Sequence, residues 1–591
     1  MEAFFSGVLN GIVNLWRESQ ALFSKLIHSR MIWVVVGIVI VVGAAILGVT
    51  LTQQRSAPNA SSVYRPGKVS VLTASYDMLR TGQNRQETTL TTTNVDKDHF
   101  GLLSSFAGVG DIQAQPLYVP NVSIRGKPHN VVYVATSADH VYALDADNQG
   151  SNSAPLWDDD LGISGKAPGI YGTPVIALDQ HGGGTLYVVT NDSLQSEHLH
   201  ALDITNGQPR PGSPMLISPQ GFRPASTYER TGLALVNGVI YGGWRADEFS
   251  KFAEHGWVMA FDAHTLKLIS AFNTTPDGDT VVHGPNLGNG LALGNPGSIW
   301  QSTSGLSVDA DGNVYPVVGN GPFTGNKGGS SYGDSFLKLR LINGKLSLVD
   351  YFTPFDQQCL VAWDHDLGSS GNLLLPDQTG SHPHLMISVS KGGRLYVVDR
   401  DHLGKFVSVS GLQCTTPPKQ DTHTDQVVQE SQDGLLPGLF MAPVYWQAPN
   451  GKQYVYVSGA DADSGRGDTI KAFELTNGQF NLTPVMQTDL TYGYPGAGIA
   501  VTSNGDKAGT GILWALQPGH CTAGRCQPHS PGILHAYDAT NLSKELYNSD
   551  QNAGRDGMDS YQRFTRPVVA DGKVFVCSQS TLFIYGLLQR Q

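Results

Sequence analysis

Several short motifs in the chain use residue types that carry chemistry elsewhere. Gly329-Ser330-Ser331-Tyr332-Gly333 has the spacing of a nucleophilic serine elbow, but that serine needs a strand before it and a helix after it. Here GNKGGSSYGDSFLKLR is a Gly-rich loop running into a strand, so the hydrolase reading is set aside. Asp145-Ala146-Asp147, Asp309-Ala310-Asp311-Gly312-Asn313 and Asp461-Ala462-Asp463 resemble fragments of calcium loops. None carries the glutamate that closes an EF-hand, and acidic turn formation is the better account. Arg466-Gly467-Asp468 reads as a charged turn in preference to an adhesion tripeptide. His365, His382 and His384 are loop histidines, for which metal binding is the lesser reading. No G-x-x-x-x-G-K-[ST] or H-E-x-x-H occurs, which leaves nucleotide hydrolysis and zincin chemistry without support.

The cysteines narrow the field further. There are 5, Cys359, Cys414, Cys521, Cys526 and Cys577, with neither CxxC nor CxxCH among them, so a zinc ribbon or a covalently attached c-type haem has no support. Cys521 and Cys526 share a Gly/Pro/His-rich loop and could pair in an oxidising compartment; the odd total leaves at least one thiol. The 591 residues carry 38 Lys+Arg against 50 Asp+Glu, a net charge of -12, which argues against a nucleic-acid partner bound by phosphate neutralisation. Gly 69 and Pro 32 beside 40% hydrophobic residues describe a folded, turn-rich, all-β chain, large enough for several domains or one repeat architecture.

From Met31 to Leu51 the sequence MIWVVVGIVIVVGAAILGVTL has no charged residue and, at about 1.5 Å per residue, the length of the bilayer core. It predicts an uncleaved transmembrane signal anchor whose partner is the lipid bilayer. Residues 1–30 read as a cytoplasmic amphipathic segment, with Phe5, Val8, Leu9, Ile12 and Trp16 at helical spacing. Residues 52–66 read as a polar linker, and 67–591 as a domain outside the cytoplasmic membrane.

That domain is repetitive. A short apolar strand with an aromatic centre recurs at Tyr133, Tyr187, Tyr241, Tyr315, Tyr396, Tyr456, Trp514 and Phe575. Each is preceded by another strand, from QPLYV near Leu117 to RPVVA near Arg566, often across an Asn-Gly or Asp-Gly turn. In several units a third strand follows and ends in Ala, then Leu or an aromatic residue, then an acid, as in Ala201-Leu202-Asp203 and Ala472-Phe473-Glu474. Eight such units predict an eight-bladed β-propeller, with residues 64–78 as the outer strand that completes the last blade.

The unit tails, A-L-D-A followed downstream by Trp157, A-L-D-I-T-N-G at 201–207 and A-F-E-L-T-N-G at 472–478, resemble the tryptophan-docking repeat of quinoprotein alcohol dehydrogenase-like propellers, the pyrroloquinoline quinone (PQQ)-like repeats. The resemblance covers about 70–588. It implies an Asn and a Glu on a calcium ion, an Asp base, a basic residue on the quinone and a Trp stacked beneath it. Trp300 in SIWQSTSG, Asn320 in GNGPF, Asp364 in AWDHD and Lys391 in SKGGRLYVVDR look like counterparts of these positions, and Glu248 and Glu254 lie in the unit that should supply the second calcium ligand. The chain departs from the pattern in having no adjacent cysteine pair and no glutamate in register. Asn320 and Asp364 read equally as loop residues bonding backbone, Lys391 as a turn cation and Trp300 as packing between blades. The expected function is therefore a membrane-anchored extracytoplasmic binding or scaffold module with a protein or small-molecule partner at the funnel. The alternative is a PQQ- and calcium-dependent dehydrogenase of an alcohol or sugar.

Overall fold

The computed structural model describes residues 69–589 apart from 109, 149, 152–153, 163–168, 193–195, 225–226, 247–253, 278–296, 415–424, 463, 520, 523–524 and 527–529. The predicted span Met31 to Leu51, the segments flanking it and Glu248 lie outside the described residues. Among the described residues no helix is long and apolar enough to cross a membrane.

Eight sheets of four or five strands make up the domain, and each is a blade. In chain order they are blade 1 (117–160), 2 (175–216), 3 (227–273), 4 (307–353), 5 (373–430), 6 (444–492), 7 (498–548) and 8 (568–587). Seven of the eight repeat centres read from the sequence lie on the second strand of their blade, from Tyr133 on Lys127–Ala135 to Phe575 on Lys573–Cys577, and Tyr396 lies on the third strand of blade 5, Leu395–Asp399. The apolar residues of these strands are buried on both faces because a blade is covered by a neighbour on each side. Eight separate apolar cores result, each shared by two consecutive blades, and one of them joins blade 8 to blade 1 through Phe575, Ile584, Tyr118 and Val132. The ring is closed.

In three of the units the aromatic centre ties its blade to the next. Tyr133 donates its hydroxyl to the Ile204 carbonyl at 2.9 Å, Tyr187 to Ala263 at 2.9 Å and Tyr456 to Ala539 at 2.7 Å, in each case reaching a turn of the following blade. Trp157 docks beside the first of these bonds, with its indole N–H on Ile204 O at 3.0 Å. Its ring lies against Gly207, where φ is +77° and an added Cβ would come within 2.8 Å of the indole, so the glycine of A-L-D-I-T-N-G is required twice over. The aspartate of that tail caps the turn, accepting from Thr205 N at 2.8 Å.

Closure differs from the expectation. The strand that completes blade 8 is Phe100–Ala107, paired antiparallel with Thr581–Leu587, and not 64–78. Burial explains the exchange. An outermost strand keeps one face or edge in water, which suits the mixed pattern of Phe100–Ala107, whereas Val71, Ala74, Ser75 and Arg80 are almost wholly inaccessible. The segment 69–84 instead winds along the ring axis and bonds all eight blades in turn. Val71 exchanges backbone bonds with Tyr118 of blade 1, Leu72 O accepts from Ile176 of blade 2, and Thr73 donates to Leu233 O ahead of blade 3. Met78 O, Leu79 O and Thr81 O accept from Val308, Leu374 and Tyr445 of blades 4, 5 and 6. Gln83–Asn84 then runs parallel to Gly498–Thr502 of blade 7, and the Asn84 side chain donates to Val569 O of blade 8. Arg80 is the hub of this plug, fully buried, with its guanidinium on Leu306 O, Thr73 Oγ1, Ala74 O, Asp77 O and Leu233 O.

Candidate functional site

Trp300 and Asp364 lie on segments that lead into innermost strands, whereas Asn320 and Lys391 follow second strands. Trp300 precedes blade 4. The backbone after it turns through two consecutive left-handed residues that are not glycine, Gln301 at φ 39° and Ser302 at φ 37°. Such residues cost about 1–3 kcal/mol each and persist only where the surroundings over-determine them. Here they do: Gln301 Nε2 donates to Asn372 Oδ1 at 3.1 Å, Gln301 Oε1 accepts from Val317 N at 3.2 Å, and Ser302 Oγ donates to Ser369 O at 2.7 Å.

Asp364 is placed by a short helix, α1 (Gln357–Trp363), between blades 4 and 5. Asp364 is its C-cap, left-handed at φ 57° and ψ 45°, a conformation aspartate tolerates better than most residues. The helix is fixed at its other end by Asp356, which Arg394 binds at 2.8 Å while also holding Asp433 at 2.9 Å. In the middle it is fixed by the disulfide Cys359–Cys414. That bridge was not anticipated, since nothing in the spacing of 55 residues marks it. Cys521 and Cys526 stand opposite each other in a two-stranded ribbon, as the reading of a shared loop expected of their positions, and Cys577 is a free, buried thiol.

The four residues singled out from the sequence converge. Asn320 is fully buried after the second strand of blade 4, and its Nδ2 donates to Asp364 Oδ1 at 2.9 Å. Lys391, in the turn between the second and third strands of blade 5, donates to Asp364 Oδ2 at 2.6 Å. Trp300 borders the same group, because a Cβ on Gly319 would meet both its ring at 3.2 Å and Asp366 Oδ1 at 2.8 Å. Asp366 was missed, although two acids at i and i+2 in AWDHD were visible. It accepts from Asn320 N at 3.0 Å and approaches Lys391 Nζ at 3.8 Å. A third carboxyl, Asp334, is buried behind them and is pushed well above the usual range by desolvation, then by Asp366. Glu254 is buried on the segment leading to Gly256, which packs against Gly297, whose N–H bonds Asn320 O.

The other motifs are structural. Asp309 accepts from Asp311 N and Asn313 N, and Asp145 from Asp147 N, as acidic turns do. His382 and His384 bond Asp399 and Asp401.

Whether a hard cation fits can be judged from the donors. Asn320 Oδ1 is a buried acceptor with no hydrogen-bond partner, beside two carboxylates and aimed by a side chain whose other end is already bonded. That is the donor chemistry calcium and related cations take. Among the described residues no three His, Cys, Asp or Glu side chains suffice as a metal group by themselves, so Asn320 is essential to such a set. The fit of a flat quinone is less simple. Arg245 lies 4.2 Å from the Trp300 ring centroid, so one face of the indole already carries a guanidinium.

Arg245 belongs to a second group that the sequence did not reveal. Tyr171, Arg230, Phe440, Tyr494 and Phe564 each stand four residues before the innermost strand of a different blade, and their side chains meet. Arg230 lies 5.5 Å from the Tyr171 ring and 5.2 Å from that of Phe564, and Tyr494 stacks edge-on against Phe440 and Phe564. Arg230 precedes the innermost strand of blade 3 and Phe564 that of blade 8, blades separated by blades 1 and 2, so their contact puts both at the axis. Tyr228, 5.3 Å from Tyr171 and 4.7 Å from Arg245, joins this aromatic and cationic wall to Trp300. Trp300 thus links the polar group of Asn, Asp and Lys to a group of rings and guanidinium groups.

Comparison with known proteins accords with this geometry. No curated protein matches the sequence. Among solved structures the fold is similar to the quinohemoprotein alcohol dehydrogenase ADHIIG of Pseudomonas putida HK5, at 16% identity over 88% of this chain and 81% of that one, with a TM-score of 0.55. The quinohemoprotein alcohol dehydrogenase of Comamonas testosteroni gives 16%, 88%, 80% and 0.55. A europium-containing methanol dehydrogenase gives 15%, 88%, 98% and 0.56. The family described as PQQ, glucose/ethanol/alcohol dehydrogenase, β-propeller domain, matches residues 105–421, which is more than half of the sequence. With its eight blades, its docked tryptophan and its matched propeller domain, the chain belongs to the PQQ-type β-propeller family of glucose, ethanol and alcohol dehydrogenases.

Proposed function

We propose that the protein is a quinoprotein-type oxidoreductase acting on an alcohol or sugar, carried outside the cytoplasmic membrane by the Met31 to Leu51 anchor. The observation that supports it best is the convergence of Asn320, Asp364, Asp366 and Lys391 around one orphaned Asn320 oxygen. A scaffold has no need to bring these residues together. The Cys359–Cys414 disulfide supports an oxidising compartment.

A bound quinone would supply the two-electron acceptor, and a cation beside it the Lewis acid that polarises it. The chain's own residues then divide the remaining work. Asn320 Oδ1, with Asp366, would hold the cation, and Glu254 lies on a neighbouring segment. Asp364 is the base for the substrate hydroxyl. Its carboxylate is held by Lys391 and Asn320 and is aimed by the C-cap of α1, which is what general-base catalysis requires of position before pKa. Lys391 supplies positive charge where reduced oxygens would develop. The 69–84 segment fills the axis and bonds every blade.

The test is calorimetric titration of PQQ into the full chain in detergent, with calcium, with europium and with neither. Metal-dependent binding at micromolar affinity, weakened in Asn320→Ala, is expected. No binding up to about 1 mM, a free energy weaker than about -4 kcal/mol, would retire the enzyme. That outcome would leave the binding-module reading, which one observation favours: Arg245 occupies the Trp300 face on which a flat cofactor would stack.

A further inference from the structure

We propose that Asp425 and Glu430 share one proton across a buried gap between their carboxyl groups, and that this proton latches the start of α1, holding the helix in acid and releasing it as pH rises. The inference concerns the anchoring of α1 and stands whether or not the protein is an enzyme.

The two acids are short of donors. Asp425 is 3% exposed. Its Oδ1 accepts from Phe355 N at 3.0 Å, and its own N–H donates to Glu430 Oε1 at 3.1 Å. The remaining oxygen of each, Asp425 Oδ2 and Glu430 Oε2, is buried without a partner. The two carboxyl groups lie within hydrogen-bonding reach of each other, yet two carboxylates have no hydrogen to place between them. The cation that acts on both is Arg394, and its donors are already spent. Nε donates to Asp433 Oδ1 at 3.0 Å, NH1 to Asp356 Oδ1 at 3.2 Å and Tyr396 Oη at 3.3 Å, and NH2 to Asp356 Oδ2 at 2.8 Å and Asp433 Oδ2 at 2.9 Å. A guanidinium has no further N–H to give.

Two facing carboxylates out of water repel, and such a site keeps one of them protonated. A proton on either Oδ2 or Oε2 satisfies both orphaned oxygens in one charge-assisted bond. In agreement, desolvation and then Glu430 push Asp425 up to about 8, and desolvation raises Glu430. The other ionisable groups that act on the pair are Asp356, at the start of α1, and Tyr396, on the third strand of blade 5, and neither can neutralise it. Phe355 and Asp356 immediately precede α1, so Asp425 grips the backbone that enters the helix. Loss of the proton sets Asp425 against Glu430 with Asp356 nearby, and the grip on Phe355 goes as Asp425 moves off. The sign follows from linkage: a carboxyl raised on folding favours the native state fully below its unfolded value of about 4, and this is lost as pH rises through the folded value. Asp334, another raised acid, also meets α1, through Gln357 Nε2 at 3.5 Å, so variants of the pair must separate the two.

The experiment follows hydrogen exchange of the peptide covering 353–363 in the full chain in detergent, at pH 5, 7 and 9, with and without EDTA, in wild type, Asp425→Asn and Glu430→Gln. Protection is corrected for the intrinsic exchange rate at each pH. An opening that frees one proton becomes tenfold more frequent with each pH unit between about 4 and 8, so wild-type protection should fall about a hundredfold from pH 5 to pH 7 and level off above about 8. Asp425→Asn keeps an oxygen for Phe355 N–H and offers an amide N–H to Glu430, a latch that needs no proton. Glu430→Gln offers the same bond from the other side and serves if the first variant does not fold. Each should shrink the fall at least tenfold. The infrared difference between wild type and Asp425→Asn at pH 6 should contain the carbonyl band of a protonated carboxyl. Wild-type protection that changes less than twofold, a fall of the same size in both variants, or the absence of that band overturns the latch. Protection that wild type loses on adding EDTA at pH 5, and Asp425→Asn keeps, puts a cation in the gap and also overturns it.

Discussion

Replacing Cys359 and Cys414 by serine should free the helix that carries the candidate base. The bridge joins residues 55 apart, and the chain-entropy relation for a loop of that length gives about 4 kcal/mol at 25 °C. Cys359 sits on α1 with 1% exposure, five residues before Asp364, so the loss should fall first on this helix. Blades contact only their neighbours, and a global two-state unfolding energy is therefore a poor readout. Hydrogen exchange of the peptide covering 355–366 is a better one. If the bridge is the principal clamp, amide protection there should fall by up to about a thousandfold, the equivalent of 4 kcal/mol, while protection in blades 1 and 2 stays as in wild type. Two other restraints remain on the helix, the Arg394–Asp356 pair and the bonds from Asp364 N–H and His365 N–H to its last turn. Protection that changes less than twofold would show that these suffice and would refute the assignment of the clamp to the disulfide.

Arg80→Ala should be among the most damaging single changes in the protein. It strips donors from the Leu306, Leu233 and Ala74 carbonyls at the axis, and at about 1–3 kcal/mol for each buried group left unpaired the loss should exceed about 4 kcal/mol; a melting curve within a degree or two of wild type would contradict the hub role. Asp139 is raised to about 7 by desolvation and then by Asp192, and its Oδ1 has no partner. A carboxyl raised on folding favours the native state fully below its unfolded value near pH 4, and this is lost as pH rises through 7. Asp139→Asn should therefore leave stability at pH 4 nearly unchanged and increase it at pH 8, which denaturant melts at the two pH values would check; an equal effect at both would count against the burial argument.

The positions of the candidate residues were legible in unequal degree. Trp300, Asn320, Asp364 and Lys391 could be found because each follows or precedes a recognisable repeat strand, and a strand's place in the repeat fixes its place in the ring. The closing strand was misassigned because residues 64–78 and Phe100–Ala107 both carry apolar residues in a strand-like sequence, and a sequence does not say whether such a segment pairs at an edge or is buried on all sides. Arg230, Arg245, Tyr171 and Phe564 were passed over for a related reason. They come from different repeats, and their meeting depends on the radius at which the ring closes, a property of no single blade. Cys359 and Cys414 are likewise neighbours only because α1 and the tail of blade 5 fold onto the same end.

The sequence by itself determined the architecture. Apolar strands with an aromatic centre and turn residues between them are local features repeated eight times, and stacking such units favours a ring. Tertiary structure decided what fills the middle. Only after closure do eight inner strands present carbonyls and amides to one axis, so only then could residues 69–84 become a plug and Arg80 its hub. Closure also brings Asn320 of blade 4 onto Asp364, Asp366 and Lys391 from the segments around blade 5.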